Sequence, residues 1–239
     1  MIRLPTLASV QVNFLALTLL TMFIPLSAQA KEEGFKPTVK GAPFNRVGGG
    51  SRGICAQLPK LKDDFSLEVL APRQHVGQTH KSQPTLYWWT SQPVTGKITF
   101  TLKPVKTNSS EFPLSLIETQ IASTVEAGIH EIPLSQYQAQ LTQNDDIDYY
   151  EWSISIECDS SNPSANIVAR GAMSYTETSE QLTQQLAQKD DPQALLKFYQ
   201  DNGLWYDVVA KLFKSTDTLP KQVELLEQEG LEKVSQTVH

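Results

Sequence analysis

The stretch Tyr150-Glu151-Trp152-Ser153-Ile154-Ser155-Ile156-Glu157-Cys158 decides the fold. Apolar, aromatic or thiol side chains occupy every second position, and Glu151, Ser153, Ser155 and Glu157 fill the places between. Successive side chains of a strand point to opposite faces, so this segment reads as a strand with one face in a core and one in water. Cys158 then points inward. Ile98, Phe100 and Leu102, alternating with Lys97, Thr99, Thr101 and Lys103, repeat the pattern.

Around these two segments, residues 55–177 consist of short β-branched and aromatic runs separated by Pro, Gly, Asn, Asp and Ser. The spacing predicts strands over 66–71, 84–90, 96–103, 114–122, 128–133, 148–158 and 166–175. Seven short strands with turn signals between them imply an immunoglobulin-like antiparallel β-sandwich in a mostly β protein. The tyrosine corner of immunoglobulin domains is not met, because Ile156 stands two residues before Cys158.

From 178 to 239 the periodicity becomes helical, which predicts a small α-helical C-terminal segment. Thr178 with Gln181 forms a capping box ahead of Leu182 and Leu186. Asp191 caps a second helix that has Pro192 at its first position and Gly203 beyond its end. Trp205, Val208, Val209, Leu212 and Phe213 form one apolar stripe on a third, and a fourth opens at Pro220 and stops at Gly230. Ala194 to Phe213 resembles one helix pair of a tetratricopeptide-type repeat, but no second copy follows. These helices therefore need the sandwich, a partner, or another copy to pack against.

The N-terminal side reads differently. Residues 1–30 begin with a single charge, Arg3, continue through the apolar run Phe14 to Ile24, and end in Ser27-Ala28-Gln29-Ala30, the pattern of a cleavable secretory signal peptide. The apolar run is shorter than the roughly 20 residues a spanning helix needs, so no membrane span is expected after cleavage. Residues 31–54, rich in Gly, Pro and Lys with Gly48-Gly49-Gly50, read as a flexible linker. Export implies a periplasmic or extracellular location.

The chain carries a formal net charge of −6. Loss of Arg3 with the leader makes it more negative, and no Lys/Arg cluster offers a surface for nucleic acid. The two cysteines, Cys55 and Cys158, lie in the exported part, where an oxidising compartment favours a disulfide. A reactive thiol or a metal pair is the weaker alternative, since their separation matches neither a CxxC nor a zinc pattern.

Chemistry-bearing motifs are sparse. Gly49-Gly50-Ser51-Arg52-Gly53 has the spacing of a nucleophile elbow but lacks the preceding strand that raises such a serine. His75, His80, His130 and His239 lack metal-ligand spacing and read as surface loop residues, and no cofactor is implied. Asn144, Asp145, Asp146 and Asp148 form an acidic turn: Asp145, Asp146 and Asp148 are calcium candidates, although the glycine and distal glutamate of an EF-hand are missing.

Tyr87, Trp88 and Trp89 are consecutive, so at least one points away from the core of a sandwich. An outward Trp88 or Trp89 either stacks on a ligand such as a sugar ring or is covered by the C-terminal helices, with Trp205 and Phe213 as the natural covers. Trp205, Tyr206 and Phe213 accordingly form a packing face or a partner face.

Several motifs resemble an exported, mainly cyanobacterial family catalogued as a domain of unknown function (number 928). They are Arg46-Val47-Gly48-Gly49-Gly50-Ser51-Arg52-Gly53 leading to Cys55, Pro84-Thr85-Leu86-Tyr87-Trp88-Trp89, and Gly128-Ile129 before Pro133-Leu134. Tyr150-Glu151-Trp152 leading to Cys158 and Asn202-Gly203-Leu204-Trp205-Tyr206-Asp207 complete the set, which spans residues 42–230 with a poorer match from Lys214 onward. The resemblance implies an export signal, a β domain and a helical tail, and brings no catalytic residues.

The leading expectation is a non-enzymatic interaction module of the periplasm or envelope, a disulfide-tied β-sandwich with an α-helical tail that docks another envelope protein. A carbohydrate-binding protein using Trp88 or Trp89 is the alternative, and a hydrolase with loop carboxylates is a third.

Overall fold

The structure is a computed structural model and describes residues 55, 58, 61, 64–107, 114–188, 191–214 and 218–238. By contacts the chain divides into two compact units, Met1–Glu32 and Glu33–His239. The expected signal peptide, the linker over 31–54 and the Gly49–Gly53 motif lie outside the described residues.

Among the described residues, eight strands form two sheets. β1 (Leu67–Val69), β3 (Thr85–Thr90) and β6 (Gly128–Pro133) make the smaller sheet in the order β1-β3-β6. β2 (Gly77–Thr79), β4 (Val94–Val105), β5 (Ile117–Val125), β7 (Tyr149–Ile156) and β8 (Ile167–Tyr175) make the larger one, in the order β2-β8-β7-β4-β5. Every pairing is antiparallel except β2 with β8, which run parallel. The protein is thus mainly β with an α-helical C-terminal part. β2 is the strand the sequence did not reveal: Gly77-Gln78-Thr79 is too short to show a period.

Alternation places the core as the sequence implies. Tyr150, Trp152, Ile154 and Ile156 of β7 are buried, and Trp152, Ile154 and Ile156 sit opposite Leu102, Phe100 and Ile98 of β4. The opposite face carries Lys103–Glu151 and Lys97–Glu157 ion pairs at 3.0 and 3.3 Å. Close packing leaves no room at Gly171, where a Cβ would lie 2.7 Å from Trp152 Nε1 and 2.8 Å from Ala71 Cβ. Gly171→Ala is expected to cost about 1–3 kcal/mol through overpacking, read as a lower urea midpoint with an unchanged slope.

Five helices follow among the described residues: α1 (Glu180–Ala187), α2 (Pro192–Asp201), α3 (Trp205–Leu212), α4 (Leu219–Gln228) and α5 (Glu232–Ser235). Asp191 caps α2 as expected, its Oδ2 accepting from Ala194 N at 2.8 Å. At α1 the cap is Ser179, one residue beyond Thr178, and it accepts from Leu182 N. Thr178 instead donates its hydroxyl to the His80 carbonyl at 3.2 Å.

Gly203 and Gly230, with φ of 68° and 69°, end α2 and α4 in the same way. In each, the glycine N–H and the next N–H return to carbonyls of the last turn (Gly203 to Gln200 and Leu204 to Tyr199; Gly230 to Glu227 and Leu231 to Leu226). Only glycine adopts this left-handed geometry without a Cβ penalty. The following residues, Leu204 and Leu231, are thereby turned into the core.

The helices pack on the sandwich. α3 lies against β2 and β3, flanked by α2 and α4, and nearly all of its residues are buried, not only the stripe the spacing marks. Side chains from both sides of Thr178 form one continuous hydrophobic core.

Candidate functional site

The sequence-marked residues fall in four places. Cys55 and Cys158 form a disulfide with Cα atoms 4.8 Å apart, tying the start of the described chain to the end of β7.

Trp88 and Trp89 are 2% and 3% exposed, which removes both as a stacking platform for a sugar ring. The reason is double coverage of β3. Tyr87 and Trp89 share its helix-facing side: the Tyr87 ring lies 5.4 Å from that of Phe213, and Trp89 Nε1 donates to Thr237 Oγ1 at 3.0 Å. Burial, with the Glu131 carboxylate nearby, pushes the Tyr87 hydroxyl up to about 12. Trp88, on the other side, stacks against His130 at 4.6 Å.

Trp205, Tyr206 and Phe213 serve packing. Trp205 Nε1 donates to the Leu70 carbonyl at 3.0 Å. The Tyr206 hydroxyl accepts from Trp152 Nε1 at 2.9 Å and donates to the Ala172 carbonyl at 2.8 Å, so each buried polar atom is partnered and burial raises the phenol's pKa. Phe213 covers Tyr87 and not one of the tryptophans, and Trp205 reaches the residue after β1.

Asp145, Asp146 and Asp148 do not assemble a calcium site. Asp148 accepts from Thr107 N at 2.6 Å and from Lys106 Nζ at 3.1 Å, and these hydrogen bonds, the Thr107 backbone first, lower the pKa of its carboxyl. Lys106 also donates to the Asp145 carbonyl, and Asn144 Oδ1 accepts from Asp146 N, closing the turn on itself. No three metal-ligating side chains converge among the described residues.

The polar convergence that sequence reading missed is at Asp207. Third in α3 and 1% exposed, it accepts the backbone N–H of His80 on Oδ2 at 3.1 Å. His80 Nδ1 also lies 3.1 Å from Oδ2 but out of hydrogen-bond alignment, and Lys81 Nζ lies 3.8 Å from Oδ1. Tyr199 of α2 stacks on the imidazole, and burial plus the Asp207 charge raises its hydroxyl to about 12. With Thr178 on the His80 carbonyl, this cluster fastens the end of β2 to α2, α3 and the lead-in to α1. Asp207 lies opposite the apolar stripe of α3, on the side that the spacing leaves to solvent, so the sequence carried no signal for its burial; its partner stands 127 positions away.

Two of the four histidines, His75 and His130, are not surface loop residues, and His239 lies outside the described residues. His75 is 7% exposed and His130 sits within β6, its Nε2 2.9 Å from the Glu126 carbonyl. Burial lowers the pKa of both below 6.5, with the Glu126 contact opposing the shift at His130. Neutral forms are therefore favoured in the fold, and the associated stability is full above pH 6.5 and falls as acid protonates them. Urea titrations from pH 7 downward are expected to show this loss, with a smaller slope in His75→Gln and His130→Gln variants.

The remaining feature is β5, an edge strand. Among the described residues it pairs with β4 alone. Leu114, 88% exposed, and Leu116, 45% exposed, directly precede it.

Together these features define a class: a disulfide-tied two-sheet β-sandwich sealed on one flank by helices, with β5 among its edge strands in the described residues. The chain belongs to the family described as Domain of Unknown Function (DUF928), whose model matches residues 47–238. The match runs through the last helices, beyond the Lys214 limit that the motifs marked. No curated protein and no solved structure matches the chain.

Proposed function

We propose that this protein is a non-enzymatic interaction module of the periplasm or envelope, and that it engages a protein partner along β5 and not through its helical tail. The observation that carries this reading is the open edge. β5, Ile117-Glu118-Thr119-Gln120-Ile121-Ala122-Ser123-Thr124-Val125, contains neither proline nor lysine, the residues that most often block an edge against another strand. The exposed leucines beside it supply apolar surface of the kind interfaces cover.

The test is crosslinking and co-purification of the tagged chain from its own cells, comparing wild type with a Leu114→Ser/Leu116→Ser variant. Recovery of a partner by wild type and its loss in the variant is the expected result. Turnover of an envelope polymer or ester by the purified protein, abolished by changing one carboxylate or serine, would overturn the reading.

A further inference from the structure

Resting on that interaction reading, we infer that the partner of β5 is a basic, extended polypeptide segment that adds to the larger sheet as a further strand. The argument is one of charge. From Thr107 to Ala169 the chain contains neither lysine nor arginine, so β5, β6 and β7 contribute no such cation. The lysines that β4 and its end supply are already engaged: Lys97 with Glu157, Lys103 with Glu151, and Lys106 with Asp148.

Exposed Glu118 on β5, Glu126 at the β5–β6 turn and Glu131 on β6 are left with no ion-pair partner among the described residues. An incoming strand that carries lysine or arginine meets Glu118 and Glu126 while its backbone satisfies the open side of β5. Main-chain pairing supplies affinity in such strand addition, and the side chains supply selectivity.

The same charges argue against a second copy as the occupant. Strand β5 paired in parallel register with another β5 would set the two Glu118 side chains side by side, and like charges directly opposite destabilise a sheet. The chain's net charge of −6 adds long-range repulsion between copies.

The probe is a fluorescein-labelled synthetic peptide of alternating lysine and valine, with its glutamate–valine counterpart as control. Fluorescence anisotropy measures binding to the purified full-length chain, and amide hydrogen exchange locates it. Expected are binding of the lysine peptide alone, weakening as salt rises, and slowed exchange across β5.

Glu118→Lys/Glu126→Lys, both exposed positions, is expected to weaken binding by about tenfold while the circular dichroism spectrum is unchanged. Binding without β5 protection would overturn strand addition, as would β5 protection that grows with protein concentration in the absence of peptide. Binding of neither peptide would mark the acidic edge as a guard against aggregation, and would also overturn the inference. The co-purification experiment reads separately: a partner captured through Leu114 and Leu116 would leave the interaction reading standing even if this inference failed.

Discussion

Truncation after Thr178 is expected to yield a chain that does not fold. The helices are part of the core, and removing them uncovers Tyr87, Trp89 and β2 at once. The loss also strands polar atoms: Trp152 Nε1 loses the Tyr206 hydroxyl, and the Leu70 carbonyl loses the Trp205 indole. A graded form of the experiment is Trp205→Ala. Deleting a fully buried aromatic side chain costs about 3–5 kcal/mol. The orphaned Leu70 carbonyl adds to this by about 1–3 kcal/mol if no water replaces the indole. Against a typical domain stability of about 5–15 kcal/mol, the substitution is expected to bring the protein close to unfolding. Near-ultraviolet circular dichroism and urea midpoints measure both. A truncated chain with a cooperative transition and a native aromatic spectrum would show the sandwich to be self-sufficient.

Replacing Cys55 and Cys158 together by alanine is expected to be the second large effect. The bridge spans 103 positions, and closing a loop of that size restricts the unfolded chain by about 4–5 kcal/mol in the chain-entropy account. Cys158 is 2% exposed, so a reductant reaches it chiefly through unfolded molecules. Wild type in reductant should therefore drift slowly towards the stability of the double variant, which itself should not respond to reductant. Equal urea midpoints for the oxidised wild type and the double variant would refute this role.

Much of the architecture was legible because it is periodic. The alternation in β4 and β7 fixed both strands and the inward direction of Cys158, and cap chemistry fixed α2 through Asp191, Pro192 and Gly203. β2 and α5 escaped because three or four residues show no period. β2 exists by virtue of β8, whose Met173, Ser174 and Tyr175 stand opposite Gly77, Gln78 and Thr79.

The candidate site was less legible, because it depends on partners distant in the chain. The sequence favoured burial of Trp88 and Trp89 over stacking on a ligand, but only the folded chain supplied the cover, Thr237 at the Trp89 indole and His130 beside Trp88. Asp145, Asp146 and Asp148 looked like cation ligands until Lys106 stood among them.

Local pattern, then, determined the types of the longer elements, the faces of β4 and β7 and the ends of α2, since each is set by residues a few positions apart. Tertiary structure alone decided that the helices complete the core, that Asp207 is buried against His80, and that β5 is left at an open edge. Those outcomes follow from which surfaces meet once the chain is folded, and a burial or a vacancy produced by contacts across a hundred residues leaves no period in the sequence.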